Sequence, residues 1–245
     1  TNVAPSLQSR PAVWTPGPKA PDLQNGEVHV WRVSLHGTSA ELGALLPSLT
    51  AEERAKAERF CFDRDRVRFV AAHAALHGIL ARYLNTRPEM VTFAAGPGKP
   101  TLAIALGGGR VKFNLSHSRD LALVAVSGNR EVGVDVEWIR SDFPFEGVAE
   151  RFFPVPWLAF LQGVPPGLRR NAFYALWARV EACAKAHGHG LPGLEEGAET
   201  GRAFAERAVS WTRLDLPVGL GYAAAVATPG CDIQLELWQW IWEAE

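Results

Sequence analysis

The chain has 245 residues, 47% of them hydrophobic and 21% charged, with 25 Lys and Arg against 26 Asp and Glu for a formal net charge of −1. That length can bury a large core, as one domain or as two of about 120 residues. The balanced charge excludes the basic footprint of a nucleic-acid or membrane-surface binder, and no apolar run approaches the roughly 20 residues that cross a bilayer.

Residues 1–25 are rich in proline and polar side chains and lack the apolar stretch of a signal peptide, so a flexible arm is expected there. Val28 to Leu35 alternates as a strand does. Thr50 and Glu53 then form a capping box that opens a helix running towards Phe62. A longer helix is expected from Asp65 to Leu84, with Phe69, Leu76, Leu80 and Tyr83 on its apolar face. Strands follow at Val111–Leu115, Leu121–Ser127 and Val132–Trp138, then a mostly helical stretch from Gly147 to Gly188. Two more strands are read at Val209–Leu214 and Tyr222–Thr228. A last one, Ile233–Trp242, carries Trp238, Trp240 and Trp242 on one face and Leu235, Leu237 and Ile241 on the other.

The order strand, helix, strands thus occurs twice, and Leu121–Ser127 matches Tyr222–Thr228 in place and character. The expected fold class is α+β: two similar subdomains, 26–130 and 131–230, related by a pseudo-two-fold, with 231–245 returning to the first. Cys61, Cys183 and Cys231 are odd in number and widely spaced, which points to reduced thiols and a cytoplasmic protein.

Two segments carry the chemistry. In Gly133-Val-Asp-Val-Glu137 the acids Asp135 and Glu137 share one strand face, with Val132, Val134 and Val136 behind it. In Trp177-x-x-x-Glu181-Ala-x-x-Lys185 the named residues recur every four positions and line one helix stripe. If stripe and face meet, three carboxylates and one ammonium converge. At about 5 Å, two carboxylates repel by roughly 3 kcal/mol at an effective dielectric near 20. Such a cluster calls for protonation or a divalent cation, and oxygen donors favour magnesium or manganese over zinc. Elsewhere, Arg54, Lys56, Arg59, Arg64, Arg66 and Arg68 crowd the first two helices, Lys99 sits in a turn before Pro100, and Ser116-His117-Ser118 ends a strand. These groups can be a solvated face or can donate to phosphate oxygens; beside a magnesium site they describe a pocket for a polyphosphate.

Gly98-Lys-Pro100, Phe113-Asn-Leu-Ser-His-Ser118, Val132-Gly-Val-Asp-Val-Glu137 and Trp177-x-x-x-Glu-Ala-x-x-Lys185, in that order, resemble the large, two-repeat 4′-phosphopantetheinyl transferases, often called Sfp-type, over about residues 50–230. The resemblance implies a pseudo-dimer of two α+β subdomains with the active site at their interface. It implies transfer of the phosphopantetheine arm of coenzyme A to a serine of an apo acyl or peptidyl carrier protein, releasing 3′,5′-ADP. The expected partners are those two molecules, with the chain a monomer that uses neither nucleic acid nor membrane. Carried over by residue, Asp135, Glu137 and Glu181 match the metal ligands, and Lys185 the lysine facing the diphosphate. Ser116, His117, Lys99, Pro100, Arg64 and Arg68 match coenzyme A contacts, and Glu181 is chosen as general base with Lys185 beside it. The chain departs from the family at Val180, bordering the acid site, and at His73 and His77, where lysine and arginines are common. His73 and His77 could otherwise form half a zinc site, and His187 and His189 flank a glycine after the Glu181 helix, where a loop role is preferred to a phosphate contact. Two other classes share these residues: another magnesium enzyme acting on a nucleotide diphosphate, and a non-catalytic carrier-protein binder.

Overall fold

The computed structural model describes residues 13–36, 42–94, 101–102, 111–188 and 211–242. Its first elements are β1 (Thr15–Pro16), β2 (Glu27–Ser34), α1 (Leu42–Leu45), α2 (Ala51–Ala57), α3 (Asp63–Leu84), β3 (Phe93–Ala94), β4 (Thr101–Leu102), β5 (Lys112–Ser118) and β6 (Leu121–Ser127). The chain continues through β7 (Gly133–Trp138), α4 (Phe145–Phe152), α5 (Val155–Gly163), α6 (Pro166–His187), β8 (Trp211–Asp215), β9 (Tyr222–Pro229) and β10 (Gln234–Gln239).

Strand β6 shows why the layers form. Every residue of Leu-Ala-Leu-Val-Ala-Val-Ser is buried, and the alternation of a strand sends them to two different cores. Ala122, Val124 and Val126 pack with Trp31, Val33 and the α3 residues Ala75, Leu76, Ile79 and Leu80. Leu121, Leu123 and Ala125 pack with Val28, Val30 and Leu237, and across to Val132, Val134, Val136 and Val226 of the second sheet. The first sheet is therefore covered by α3 on one face and by the second sheet on the other. The two sheets run β1-β10-β2-β6-β5 and β7-β9-β8. In each, a strand leads through a long helix to a hairpin, and the hairpin's second strand pairs antiparallel with the first strand.

Between the sheets, β5 and β7 lie side by side and in parallel without a backbone ladder. Side chains replace it. Asn114 Oδ1 accepts from Val134 N (2.8 Å), Ser116 Oγ from Val136 N (3.3 Å) and Ser118 Oγ from Trp138 N (3.0 Å). These bonds satisfy amide donors of a buried edge strand that would otherwise go unpaired.

Several expectations change in detail. Residues 13–18 do not behave as an arm: β1 pairs in parallel with β10, and the Trp14 indole donates to Pro217 O. The capping box at Thr50 and Glu53 is present, but α2 ends at Ala57, well short of Phe62. The helical stretch after Gly147 is three helices, begun early at Phe145 and interrupted before Val155 and Pro166. Pro154 and Pro165 precede those two starts, and proline at a helix start pre-sets φ while blocking continuation from upstream. Strand β10 pairs with β2, and Trp238, Trp240 and Trp242 do pack together against the α3 core, whereas Ile241 is exposed beyond the strand. Among the described residues no helix is long and apolar enough to cross a membrane.

Candidate active site

Strand β7 presents its valines to the shared core and its other face to α6. The approach is unusually close because of Gly133, where an added Cβ would stand 2.0 Å from Ala182 O and 2.5 Å from Ala186 N. Only a residue without a side chain lets the helix backbone sit on the strand at that point. The buried Ala178, Ala182 and Cys183 seat the same helix on Ala225 and Ala227 of β9. With α6 held this low, its polar stripe lies over Asp135.

There the side chains meet. Asp135 is 3% exposed, and its Oδ1 accepts from Lys185 Nζ at 2.6 Å and from Ser116 Oγ at 2.9 Å. Lys185 Nζ also donates to Ser116 Oγ at 2.9 Å. One strand of each sheet and one helix thus contribute to a closed triangle of bonds. The second carboxylate oxygen, Asp135 Oδ2, is buried and has no hydrogen-bond partner.

Glu137 and Glu181 complete the group electrostatically. Burial and then repulsion from Asp135 raise both carboxyls to a pKa of about 7, against an opposing pull from Lys185. Glu181 also weighs on Glu137. Among the described residues, no three His, Cys, Asp or Glu side chains stand close enough to enclose an ion as they are. The donor set nonetheless fits a hard cation: oxygen donors, two acids whose ionisation is resisted, and one buried carboxylate oxygen left unpaired.

Next to Glu137 a cavity of about 810 Å³ opens between β7 and α6, lined among others by Ser118, Trp138, Phe143, Phe173, Tyr174 and Trp177. Its aromatic wall comes from a cluster in which Phe153, Phe173 and Trp177 pack with Phe145, Leu161 and Val180. Val180 is 4% exposed within that cluster, so it does not border the acids as its sequence position implied. One residue along a helix is a 100° rotation, which turns position 180 into the helical core while Glu181 faces β7.

His117 is exposed, unlike its neighbour Ser116. Desolvation by the surrounding protein, then the positive charge of His73, Lys185, Lys56 and Arg68, depresses its pKa to about 4. Positive charge that acts on this edge of β5 is suited to a polyanion. Arg68 is bound to Asp120 through Nε (2.9 Å) and Nη2 (2.7 Å). Arg64 is turned to solvent over the Phe62 ring, 3.6 Å from Asp65, and is not brought to the acids. Lys99, Pro100 and His189 lie outside the described residues.

His73 and His77 both point at Glu53. Glu53 Oε1 meets His73 Nδ1 at 2.7 Å and Oε2 meets His77 Nε2 at 2.9 Å, while His77 Nδ1 faces Pro88 O at 3.2 Å. The pair serves a carboxylate and not a zinc ion. Burial alone would raise the Glu53 pKa, but hydrogen bonds from His73, His77 and the Thr50 amide overcome it and hold it well below the usual carboxylate range. His187 accepts a different role again, stacking on Trp211 and contacting Cys183 O from the last turn of α6. Sequence reasoning missed the second duty of Glu53, since a capping box explains that residue without any reference to α3. It also missed Asn114 and read Ser118 as a phosphate donor, whereas both accept from β7 amides; their alternation with Ser116 was the available signal.

The sequence matches two family descriptions in succession: "4′-phosphopantetheinyl transferase, N-terminal" over residues 33–129, and "4′-phosphopantetheinyl transferase superfamily" over residues 131–210. The 4′-phosphopantetheinyl transferase HetI of Nostoc sp. is 35% identical over 232 residues, covering 93% of this chain and 98% of its own. The 4′-phosphopantetheinyl transferase psf-1 of Bacillus pumilus is 32% identical, over 62% of this chain and 63% of the relative. AcpT of Escherichia coli, likewise a 4′-phosphopantetheinyl transferase, is 30% identical over 65% and 74% respectively.

Proposed function

As a member of the 4′-phosphopantetheinyl transferase superfamily, this chain moves the phosphopantetheine arm of coenzyme A to apo carrier proteins, and we propose that it does so at Asp135, Glu137, Glu181 and Lys185 with a magnesium ion. The observation that carries the proposal is the triangle of Asp135, Ser116 and Lys185, with its unpaired Asp135 Oδ2 and its two acids of raised pKa.

Asp135, Glu137 and Glu181 are the residues that would hold the ion, which supplies charge neutralisation for the diphosphate. Lys185 donates to two oxygens in the triangle and has a third proton to offer a phosphate oxygen. His117, with His73, Lys56 and Arg68 around it, takes the remaining phosphate charge, Arg64 contributing from the solvent side. Ser116 fixes Lys185 against β7. The carrier serine Oγ attacks the phosphorus that bears the pantetheine arm, and the bond from that phosphorus to 3′,5′-ADP breaks. Glu181 takes the serine proton as general base, a role for which a pKa near neutrality is suited. The arm itself fits the cavity beside Glu137, whose aromatic wall matches a mostly uncharged chain. The repeated order of strand, helix and hairpin supports reading the fold as the Sfp-type pseudo-dimer, in which β5 and β7 are the edges that meet. Incubation with coenzyme A, magnesium and an apo carrier protein, followed by mass spectrometry, tests the proposal by the mass added to the carrier.

A further inference from the structure

The hairpin β5–β6 turns in two residues, since Ser118 pairs with Leu121 and only Arg119 and Asp120 lie between. Arg119 has φ 51, at the first central position of a turn where glycine is the favoured residue. Nothing about the turn requires arginine. Its anchoring comes from Asp120, held by Arg68 at 2.7 Å and by the Tyr222 hydroxyl at 3.4 Å. A non-glycine residue kept in the left-handed region is a pointer to function.

The side chain has a defined place. The Arg119 guanidinium lies 4.6 Å from the centre of the Trp138 ring, and the residue lines the cavity that also holds Glu137. Arg140 lines the same cavity, but its guanidinium is committed to Asp142, at 3.3 Å to each carboxylate oxygen. Arg119 has no carboxylate partner among the described residues, and it is exposed. Arg68, by contrast, is spent on Asp120, while Arg119 stacks on Trp138 and lines the cavity.

We propose that Arg119 is a docking residue for the acceptor: from its shelf on Trp138 it pairs with an acidic side chain of the incoming carrier protein and so sets which carriers are served. This rests on the transfer reading above. A cation on the phosphate side would serve coenzyme A, whereas one at the exposed rim of the cavity meets whatever brings the serine to Glu137. An uncompensated charge at a rim acts through encounter and selectivity.

The test is steady-state transfer to an apo carrier protein that the parent enzyme modifies, with Arg119→Gly and Arg119→Glu. Glycine suits φ 51, so Arg119→Gly should fold and melt about 2–4 °C higher. It should lower kcat/KM for the carrier about three- to tenfold, leave KM for coenzyme A within twofold, and flatten the dependence of kcat/KM on ionic strength. Arg119→Glu should lower carrier kcat/KM further. Unchanged carrier kcat/KM in both variants, or a rise in KM for coenzyme A in step with the loss, would overturn the docking role alone. A parent that modifies no carrier would instead overturn the transfer reading.

Discussion

Lys185 Nζ lies 2.6 Å from Asp135 Oδ1, and this single pair ties α6 to β7 at the centre of the acid site. The aspartate side chain is 4% exposed and the lysine 28%, so the pair is sheltered from solvent and neither charge is cheaply released. Lys185→Ala should therefore leave a buried carboxylate without its cation, destabilising the protein by about 3 kcal/mol in denaturant titration. Adding Asp135→Asn to that variant should restore much of the stability and none of the transfer. Lys185→Ala with full stability would mean that the pair is only a solvated contact.

Gly133→Ala should separate helix from strand. The new methyl would meet Ala182 O at 2.0 Å, against backbone that cannot yield, so a cost of about 1–3 kcal/mol is expected together with loss of transfer. Alanine tolerated at full activity would show that α6 has room to rise without moving Glu181 and Lys185.

The two acids with pKa near 7 make a prediction about pH. A carboxyl whose folded pKa is raised binds more protons folded than unfolded, so its contribution is greatest below about pH 4.5 and is lost as pH rises through 7. In chelator, the melting temperature should accordingly fall between pH 5 and pH 8. Magnesium should raise it at pH 8 in the parent and not in Asp135→Ala. A melting temperature indifferent to magnesium at pH 8 would remove the ion from these residues. Glu181→Gln should raise stability at pH 8 in chelator while lowering turnover by about 10² or more, the scale of a lost general base.

Glu53 has the opposite sign. Its pKa is held below the ordinary range, so its contribution is present above about pH 4.5 and is lost as pH falls further. Glu53→Ala should cost about 2–4 kcal/mol at pH 7, since it removes the carboxylate half of the α2 capping box, leaving the Thr50 amide unbonded, and leaves buried His77 facing an empty partner position. The gap between parent and variant should narrow by pH 3. An equal gap at pH 3 and pH 7 would place the loss in packing.

Much of this was legible in the sequence because period and chemistry agreed. The alternation of Val132, Val134 and Val136 against Asp135 and Glu137 placed the acids on one face, and the four-residue spacing of Glu181 and Lys185 placed them on one stripe. What the sequence could not give was rotation and partner choice. Val180 is adjacent to Glu181 in the chain yet belongs to the core of Phe173 and Tyr174, so Val180→Lys should destabilise the fold and not improve it. His73 and His77 carry the spacing of a metal pair, and only the approach of α2 decides that Glu53 fills the place. Arg119 looked like any hairpin residue until its φ was known.

Whether the site built on Asp135 transfers the arm is decided by intact-mass analysis of an apo carrier protein incubated with coenzyme A. With magnesium, the parent chain should add one phosphopantetheine to the carrier serine and release 3′,5′-ADP. Chelator, or Asp135→Ala in excess magnesium, should abolish the addition. A carrier modified undiminished by Asp135→Ala would remove the reaction from this site.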